Sequence, residues 1–383
     1  MLKVTHIFMK GADISILKEV ETLGGKYFIE NEEKDLFEIL RMNGMNTIRL
    51  RIWVDPYDEN NKPYLGGTND LQTTIELAKR AKAQDMKIML NFHYSDFWTD
   101  PGKQCKPKSW KSLSSEQLEN KVYEYTKFVL EICAENSVVP EYIQIGNEVT
   151  NGMLWPEGKT PTFLFEEREF EEMEENKRTA SYDQLSRFLK AGVKATKDNP
   201  LTRTSKIILH LDFGGANNLY RTWFDEITKR NVDFDIIGLS YYPFWHGNLE
   251  DLKFNLNDIS ARYNKKVLVV ETSYGFTETD PDGNSIFTKE LADQAGYPAT
   301  VQGQRDFLFD LMKIVKETQD NKGLGIVYWE PAWLPVEGSS WASHEGMKYA
   351  NDIAHMGNHW ANQALFDFEG HALDSLKVFK ESF

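Results

Sequence analysis

Eight short apolar runs in this chain end in residues able to exchange protons, attack carbon or hold charge. They close on Asp13, Arg49 and Arg51, Asn91 and His93, Asn147 and Glu148, His210 and Asp212, Tyr241 and Tyr242, Glu271, and Trp329 with Glu330. A purely structural chain has no need for ionisable groups at one end of nearly every run, because an unpaired buried charge is costly. Glu148 and Glu271 form the pair with the clearest chemistry. One carboxyl with a raised pKa would protonate a leaving oxygen while the other, ionised, attacks the carbon it leaves. This is the division of labour for cleaving a glycosidic bond with retention, and it needs carboxyls about 5–5.5 Å apart. Asn147 adds an amide that can donate to a sugar 2-hydroxyl as charge develops on the ring. Arg51 and His93 are expected to hold Glu271 ionised, and Tyr241 to hydrogen-bond to it.

The elements that must position these residues are also legible. Strands are predicted at Phe8–Asp13, Asn46–Trp53, Lys87–His93, Tyr142–Glu148, Lys206–Asp212, Phe234–Tyr241, Lys266–Thr272 and Gly323–Trp329. Runs such as KIMLNFH, KIILHLD and KVLVVET are apolar almost throughout, as parallel strands covered on both faces should be. Helical periodicity separates them, for instance Leu118, Val122, Tyr125, Val129 and Ile132 after a Ser114/Gln117 capping box. A second runs through Leu71, Ile75, Ala78 and Ala81. Strands alternating with helices throughout imply an α/β fold: a (β/α)8 TIM barrel, one catalytic domain over residues 1–383, whose chemistry sits at the C-terminal ends of the strands. Opposed strands four and seven would carry the two glutamates. Long connections follow both, from Val149 to about Arg178 and from Ser273 to about Ala299. The acidic stretch at 166–175 reads as a solvated helix or mobile loop with no assigned role.

Composition narrows the partners. The 383 residues include 10 Trp, 16 Tyr and 23 Phe, so aromatics reach 13%, and rings of this kind stack on the apolar faces of sugars. A formal net charge of −15 repels phosphate backbones and anionic membranes, so nucleic acid and membrane are not expected partners. No apolar run approaches the roughly 18 residues of a membrane span. If Met1 is the natural start, a cytoplasmic protein is expected; if it replaces a removed leader, a secreted one. Cys105 and Cys133 are expected to be separate thiols, and a monomer is expected.

In order along the chain stand KGADIS (10–15), GMNTIRLRIWVDP (44–56), GGTNDL (66–71), MLNFHYSDFWTDPGKQ (89–104), QIGNEVTNGMLWPEG (144–158), SYYPFW (240–245), VVETSYGFT (269–277), YWEPAW (328–333) and NQALFDFEGHAL (362–373). With these segments the sequence closely resembles the endo-β-1,4-galactanases of glycoside hydrolase family 53. The resemblance, not the spacing, supplies the substrate: β-1,4-galactan of plant pectin side chains, cut internally to galacto-oligosaccharides. It implies Glu148 as acid/base and Glu271 as nucleophile, with Arg51, His93, Asn147 and Tyr241 as their neighbours. Trp329 would floor the −1 sugar site, while Trp98 and Trp341 would be platforms further along and Asp96 a hydrogen-bonding partner. No cofactor is expected for catalysis. Asp280, Asp282 and Asn284 alternate around Gly283, a pattern able to wrap Ca²⁺, and bacterial family members are similar in carrying calcium in this loop. The continuation Ser285-Ile286 lacks a later ligand of that pattern, and Asp-Gly-Asn also reads as a plain turn. Three other readings stand beside this one: the same fold on another β-linked polymer, a sugar-binding barrel without turnover, and a metal-dependent hydrolase. The last has no HxH or HExxH cluster to support it.

Overall fold

The computed structural model describes residues 7–161 and 173–381. Eight parallel strands close into a barrel: β1 Met9–Asp13, β2 Thr47–Ile52, β3 Lys87–Phe92, β4 Tyr142–Ile145, β5 Lys206–Leu211, β6 Ile236–Ser240, β7 Lys266–Thr272 and β8 Gly323–Trp329. Each pairs with its sequence neighbours, and β1 closes on β8 with Met9 opposite Gly325 and Asp13 opposite Trp329. All eight fall where the apolar runs predicted them. Among the described residues the strands are covered by the helices α1 Leu36–Met42, α2 Leu71–Ala83, α3 Ser115–Glu135, α4 Glu175–Asp198, α5 Asn217–Lys229, α6 Leu249–Arg262 and α7 Val301–Lys316. In the eighth position stands a 3-10 turn, Asp374–Lys380, that buries Leu376, Val378 and Phe379.

Local chemistry accounts for the element ends. The Ser114 capping box forms as predicted: Ser114 Oγ accepts from the Gln117 N–H and Gln117 Oε1 from the Ser114 N–H. Its helix buries Leu118, Val122, Val129 and Cys133, so Cys133 packs as a small apolar residue. Cys105 and Cys133 are unpaired thiols. Among the described residues no helix is long and apolar enough to cross a membrane.

The barrel interior is filled by Met9, Met89, Ile208, Leu268, Val270 and Val327, among others. These side chains form a solid plug, so the polar strand ends above them sit on a packed floor. At that upper face the longest connection follows β8, over residues 330–373, and it carries Trp333, Trp341 and Trp360. The loop after β4 holds a 3-10 turn at Val149–Asn151 and a small hairpin, Gly152–Met153 with Gly158–Lys159. Of the acidic stretch 166–175, residues 166–172 lie outside the described residues, and Glu175 opens α4.

Two irregularities aim the glutamates. β4 stops at Ile145, short of its predicted end, because Gly146 (φ +80°) and Glu148 (φ +46°) both turn left-handed. A glutamate rarely adopts that conformation, and such strain persists only where the surroundings impose it. In β7 the register slips: Leu239 pairs with Val269, but Ser240 pairs with Glu271. Simple alternation from Leu268 and Val270 would have pointed Glu271 at the helices. The bulge turns it inward instead, opposite Ser240.

Candidate active site

Arginines on β2 organise the mouth of the barrel. Period-two alternation sends Arg49 and Arg51 both inward, and each is about 1% exposed, so neither can stay charged without partners. Arg49 Nη1 donates to Asp13 Oδ2 at 3.0 Å and to Glu271 Oε2 at 2.9 Å, while its Nη2 donates to Asn147 Oδ1 at 3.0 Å. Arg51 turns the other way, to Asp13 Oδ1 at 3.2 Å and Glu330 Oε1 at 2.5 Å, with its guanidinium 4.2 Å from the Trp98 ring centroid. The expectation that Arg51 holds Glu271 is therefore corrected: Arg49, one layer deeper, does so.

Two further expectations change. Tyr241 does not reach Glu271; its hydroxyl donates to the Gly247 carbonyl at 2.9 Å and its ring packs beside Phe307. Tyr242, which shares inward parity with Gly238 and Ser240, donates to Glu271 Oε1 at 3.0 Å. His93 lines the cleft, but its ring nitrogens contact Asn91 Nδ2 (3.2 Å) and Thr99 Oγ1 (2.9 Å), not Glu271. Burial and the two arginines push its pKa well below the usual histidine value, so it supplies no positive charge.

Glu148 stands opposite. Its Oε1 accepts from Ser240 Oγ at 2.6 Å, and its carboxylate comes within 4.8 Å of that of Glu271. The same short distances include His210, whose Nδ1 is 2.9 Å from Gln144 Nε2 and whose Nε2 is 2.8 Å from Ser240 Oγ. With those nitrogens engaged and Arg49 on Glu271, the trio offers a cation no free ligand set. Asn147 Nδ2 donates to the Thr99 carbonyl at 2.8 Å and has a second hydrogen to give to the cleft it lines.

The surrounding cavity has a volume of about 480 Å³. Trp98, Trp329 and Trp341 line it as anticipated, joined by Trp245, Trp333 and Trp360. Hydrogen bonds hold the first wall in place: Trp98 Nε1 to the Trp341 carbonyl (2.9 Å) and Trp341 Nε1 to the His355 carbonyl (2.6 Å). Trp329 meets Trp360 edge-on at 4.5 Å. Asp96 does not belong to this cleft. It is fully buried and accepts from the Asp55 and Lys108 amides at 3.0 and 2.7 Å, clamping the loop after β3. The family resemblance implied a sugar-binding role for Asp96, but the side chain points into its own loop.

Electrostatics separate the two glutamates. Burial first, then the charges of Glu271 and Asp212, push Glu148 well above the usual carboxylate range. Glu271 is also raised, by burial first and with Asp13 adding to it, but Arg49 and the Tyr242 hydroxyl offset part of the rise. When the pair shares one proton, Glu148 holds it. Asp212, buried and accepting from Thr150 Oγ1, is pushed up to about 8. Asp280, Asp282 and Asn284 lie apart, on the exposed turn after β7.

Comparison with known proteins gives one consistent answer. The sequence profile of glycosyl hydrolase family 53 matches residues 9–379. The endo-β-1,4-galactanase of Bacillus subtilis (strain 168) is 38% identical over 97% of this chain and 85% of its own length. The family 53 catalytic domain of Ignisphaera aggregans superposes with a TM-score of 0.87 at 40% identity, covering 99% of this chain and 97% of that one. A fungal β-1,4-galactanase structure superposes at 0.76 and 30% identity, over 98% and 99% of the two chains.

The raised pKa of Asp212 has a consequence for stability. In the unfolded chain an aspartate ionises near pH 3.9, whereas the folded state keeps this proton up to about 8. The stability it contributes is full below about pH 4 and is lost as pH rises through 8. Asp212→Asn, which keeps an oxygen for Thr150, should therefore gain on the wild type by on the order of a few kcal/mol between pH 4.5 and 8.5. Urea unfolding at both pH values measures this; a pH-independent difference would contradict it.

Proposed function

The chain belongs to glycosyl hydrolase family 53, and from that premise we propose that it is a retaining endo-β-1,4-galactanase. It cleaves internal β-1,4-galactosyl linkages of galactan to galacto-oligosaccharides. One observation carries the mechanism: two buried carboxylates within 4.8 Å of each other, one beside a guanidinium and the other beside carboxylates. That spacing suits direct attack on the sugar and leaves no room for the water an inverting pair requires.

A galactosyl unit enters against the tryptophan wall with its anomeric carbon between the glutamates. Glu271, held by Arg49 and Tyr242, attacks that carbon as Glu148 protonates the departing oxygen. The exposed hydrogen of Asn147 meets the 2-hydroxyl as the ring flattens and gains positive charge. Glu148, now ionised, takes a proton from water, which attacks the glycosyl ester and frees Glu271. Galactan as substrate is supported by the galactanases that share the family and resemble the chain over nearly its whole length.

Digestion of unbranched galactan should release reducing ends, and mannan and cellulose should not; no release by folded protein would sink the reading. Glu271→Ala should abolish turnover, and azide should restore it as an α-azide product. Glu148→Ala should instead give a β-azide product and form the intermediate quickly only from activated aryl substrates. Azide products of the opposite configurations would reverse the two assignments.

We also propose a structural Ca²⁺ site in the loop after β7. Asp280 Oδ1 and Asp282 Oδ1 converge on the Asn284 amide, at 3.1 and 3.2 Å. His359 lies within electrostatic reach of both aspartates, and its buried Nε2 has no hydrogen-bond partner among the described residues. Asp280, Asp282 and Asn284 thus offer oxygen donors to such an ion, with the His359 ring beside them. When bound, it would neutralise the carboxylates and tie this turn to the 355–359 segment, which Asp282 Oδ2 already reaches through the Asn358 amide (3.0 Å). Adding Ca²⁺ to chelator-stripped protein should raise Tm while leaving the rate well below Tm unchanged. An unchanged Tm would remove the site.

A further inference from the structure

The acid/base glutamate is itself held by a chain of buried polar groups for which the mechanism above has no use. Gln144, His210 and Ser240 are all fully buried, and they come from the neighbouring strands β4, β5 and β6. Burying three polar side chains in a barrel floor is costly unless each makes a specific bond. The directions of those bonds can be worked out.

The backbone amide of Glu148 can only donate, and it points at His210 Nδ1 from 3.4 Å. Gln144 Nε2 lies 2.9 Å from the same nitrogen and also donates to the Gly146 carbonyl at 3.2 Å, so its amide end is fixed as the donor. His210 Nδ1 is therefore bare. The ring is neutral, because burial and Arg49 push its pKa well below the usual value, and its single proton sits on Nε2. Nε2–H then donates to Ser240 Oγ across 2.8 Å, and the Ser240 hydroxyl is left one direction in which to donate: Glu148 Oε1, at 2.6 Å.

We propose that Ser240 and His210 are positioning residues for Glu148, forming a one-way relay from Gln144 through His210 and Ser240 that holds the catalytic proton on Oε2. The proposal rests on the reading of Glu148 as the acid. Oε1 is filled from within the barrel, so protonated Glu148 can carry its hydrogen only on the other oxygen. In the first step that proton passes from Oε2 to the leaving oxygen, which keeps the electron pair of the broken carbon–oxygen bond. In the second step a proton of water returns to Oε2. No proton travels along the relay, and His210 never ionises. Ser240 goes on donating to the carboxylate after the proton has left, which stabilises the ionised form needed for the second step.

The titratable groups facing Glu148 are Glu271 from β7, Asp212 just after β5, Asp100 from the loop after β3, Tyr242 after β6, Tyr220 of α5 and His210 itself. The carboxylates oppose ionisation of Glu148, and the Ser240 hydrogen bond favours it. Removing that hydroxyl while leaving the rest in place should move Glu148 upward.

The test is the pH profile of kcat/KM on an aryl β-galactoside with an activated leaving group, measured for wild type, Ser240→Ala, Ser240→Thr and Glu148→Gln. The basic limb should vanish in Glu148→Gln, rise by about one pH unit in Ser240→Ala and return toward wild type in Ser240→Thr. A thermal melt checks that each variant is folded; if Ser240→Ala is not, Ser240→Cys, a weaker donor of similar size, should shift the limb in the same direction. A limb lost in Glu148→Gln but unmoved in folded Ser240→Ala or Ser240→Cys overturns the relay. A limb that persists in Glu148→Gln overturns the acid assignment, and the relay with it.

Discussion

At the mouth of this barrel, two arginines and three carboxylates are buried together: Arg49 and Arg51 with Asp13, Glu271 and Glu330. Removing any one member would leave a buried partner uncompensated, a penalty of about 3–5 kcal/mol. The fold is arranged to prevent this. β1 supplies the shared carboxylate, β2 both cations, and β7 and the residue after β8 the two outer acids, so the network also ties together the point where the barrel closes. Arg49 binds Asp13, Glu271 and Asn147 at once. Structural charge balance and the orientation of the two site residues are thus set by the same side chain.

Functional asymmetry follows from where that cation stops. Both glutamates are about 9% exposed, and burial alone would raise them alike. Of the two glutamates Arg49 and Tyr242 touch only Glu271, while Asp212 and Asp100 face Glu148. Two chemically identical groups, both raised by burial, are thereby given unequal proton affinities at a separation that a sugar carbon and its leaving oxygen can bridge. The strain in the Glu148 backbone and the bulge in β7 bring these side chains within reach of each other.

Much of this was legible beforehand, and for identifiable reasons. Parallel strands covered on both faces leave long apolar runs, so all eight were located, and their polar ends marked the active face. Tyr242 could also have been found, since it shares the inward parity of Gly238 and Ser240. What escaped depended on depth or on other parts of the chain. Arg49 and Arg51 have the same parity and both bind Asp13, and only their depth in the closed barrel decides which one meets Glu271. Asp96 stands beside Trp98 in sequence but folds back to bind the Lys108 amide. Trp333 and Trp360 enter the cleft from the long connection after β8, which has no periodicity to display. The bulge that turns Glu271 inward leaves no mark in KVLVVET.

The central claim is that the two glutamates act on one sugar carbon in two successive displacements. The stereochemistry of the first product tests it most directly. Proton NMR of the anomeric region, recorded as the enzyme starts on a galacto-oligosaccharide, separates the new reducing end from its later mutarotation. The account predicts that the β-anomer appears first and the α-anomer only slowly afterwards. An α-anomer formed first would mean a single displacement by water and would contradict it.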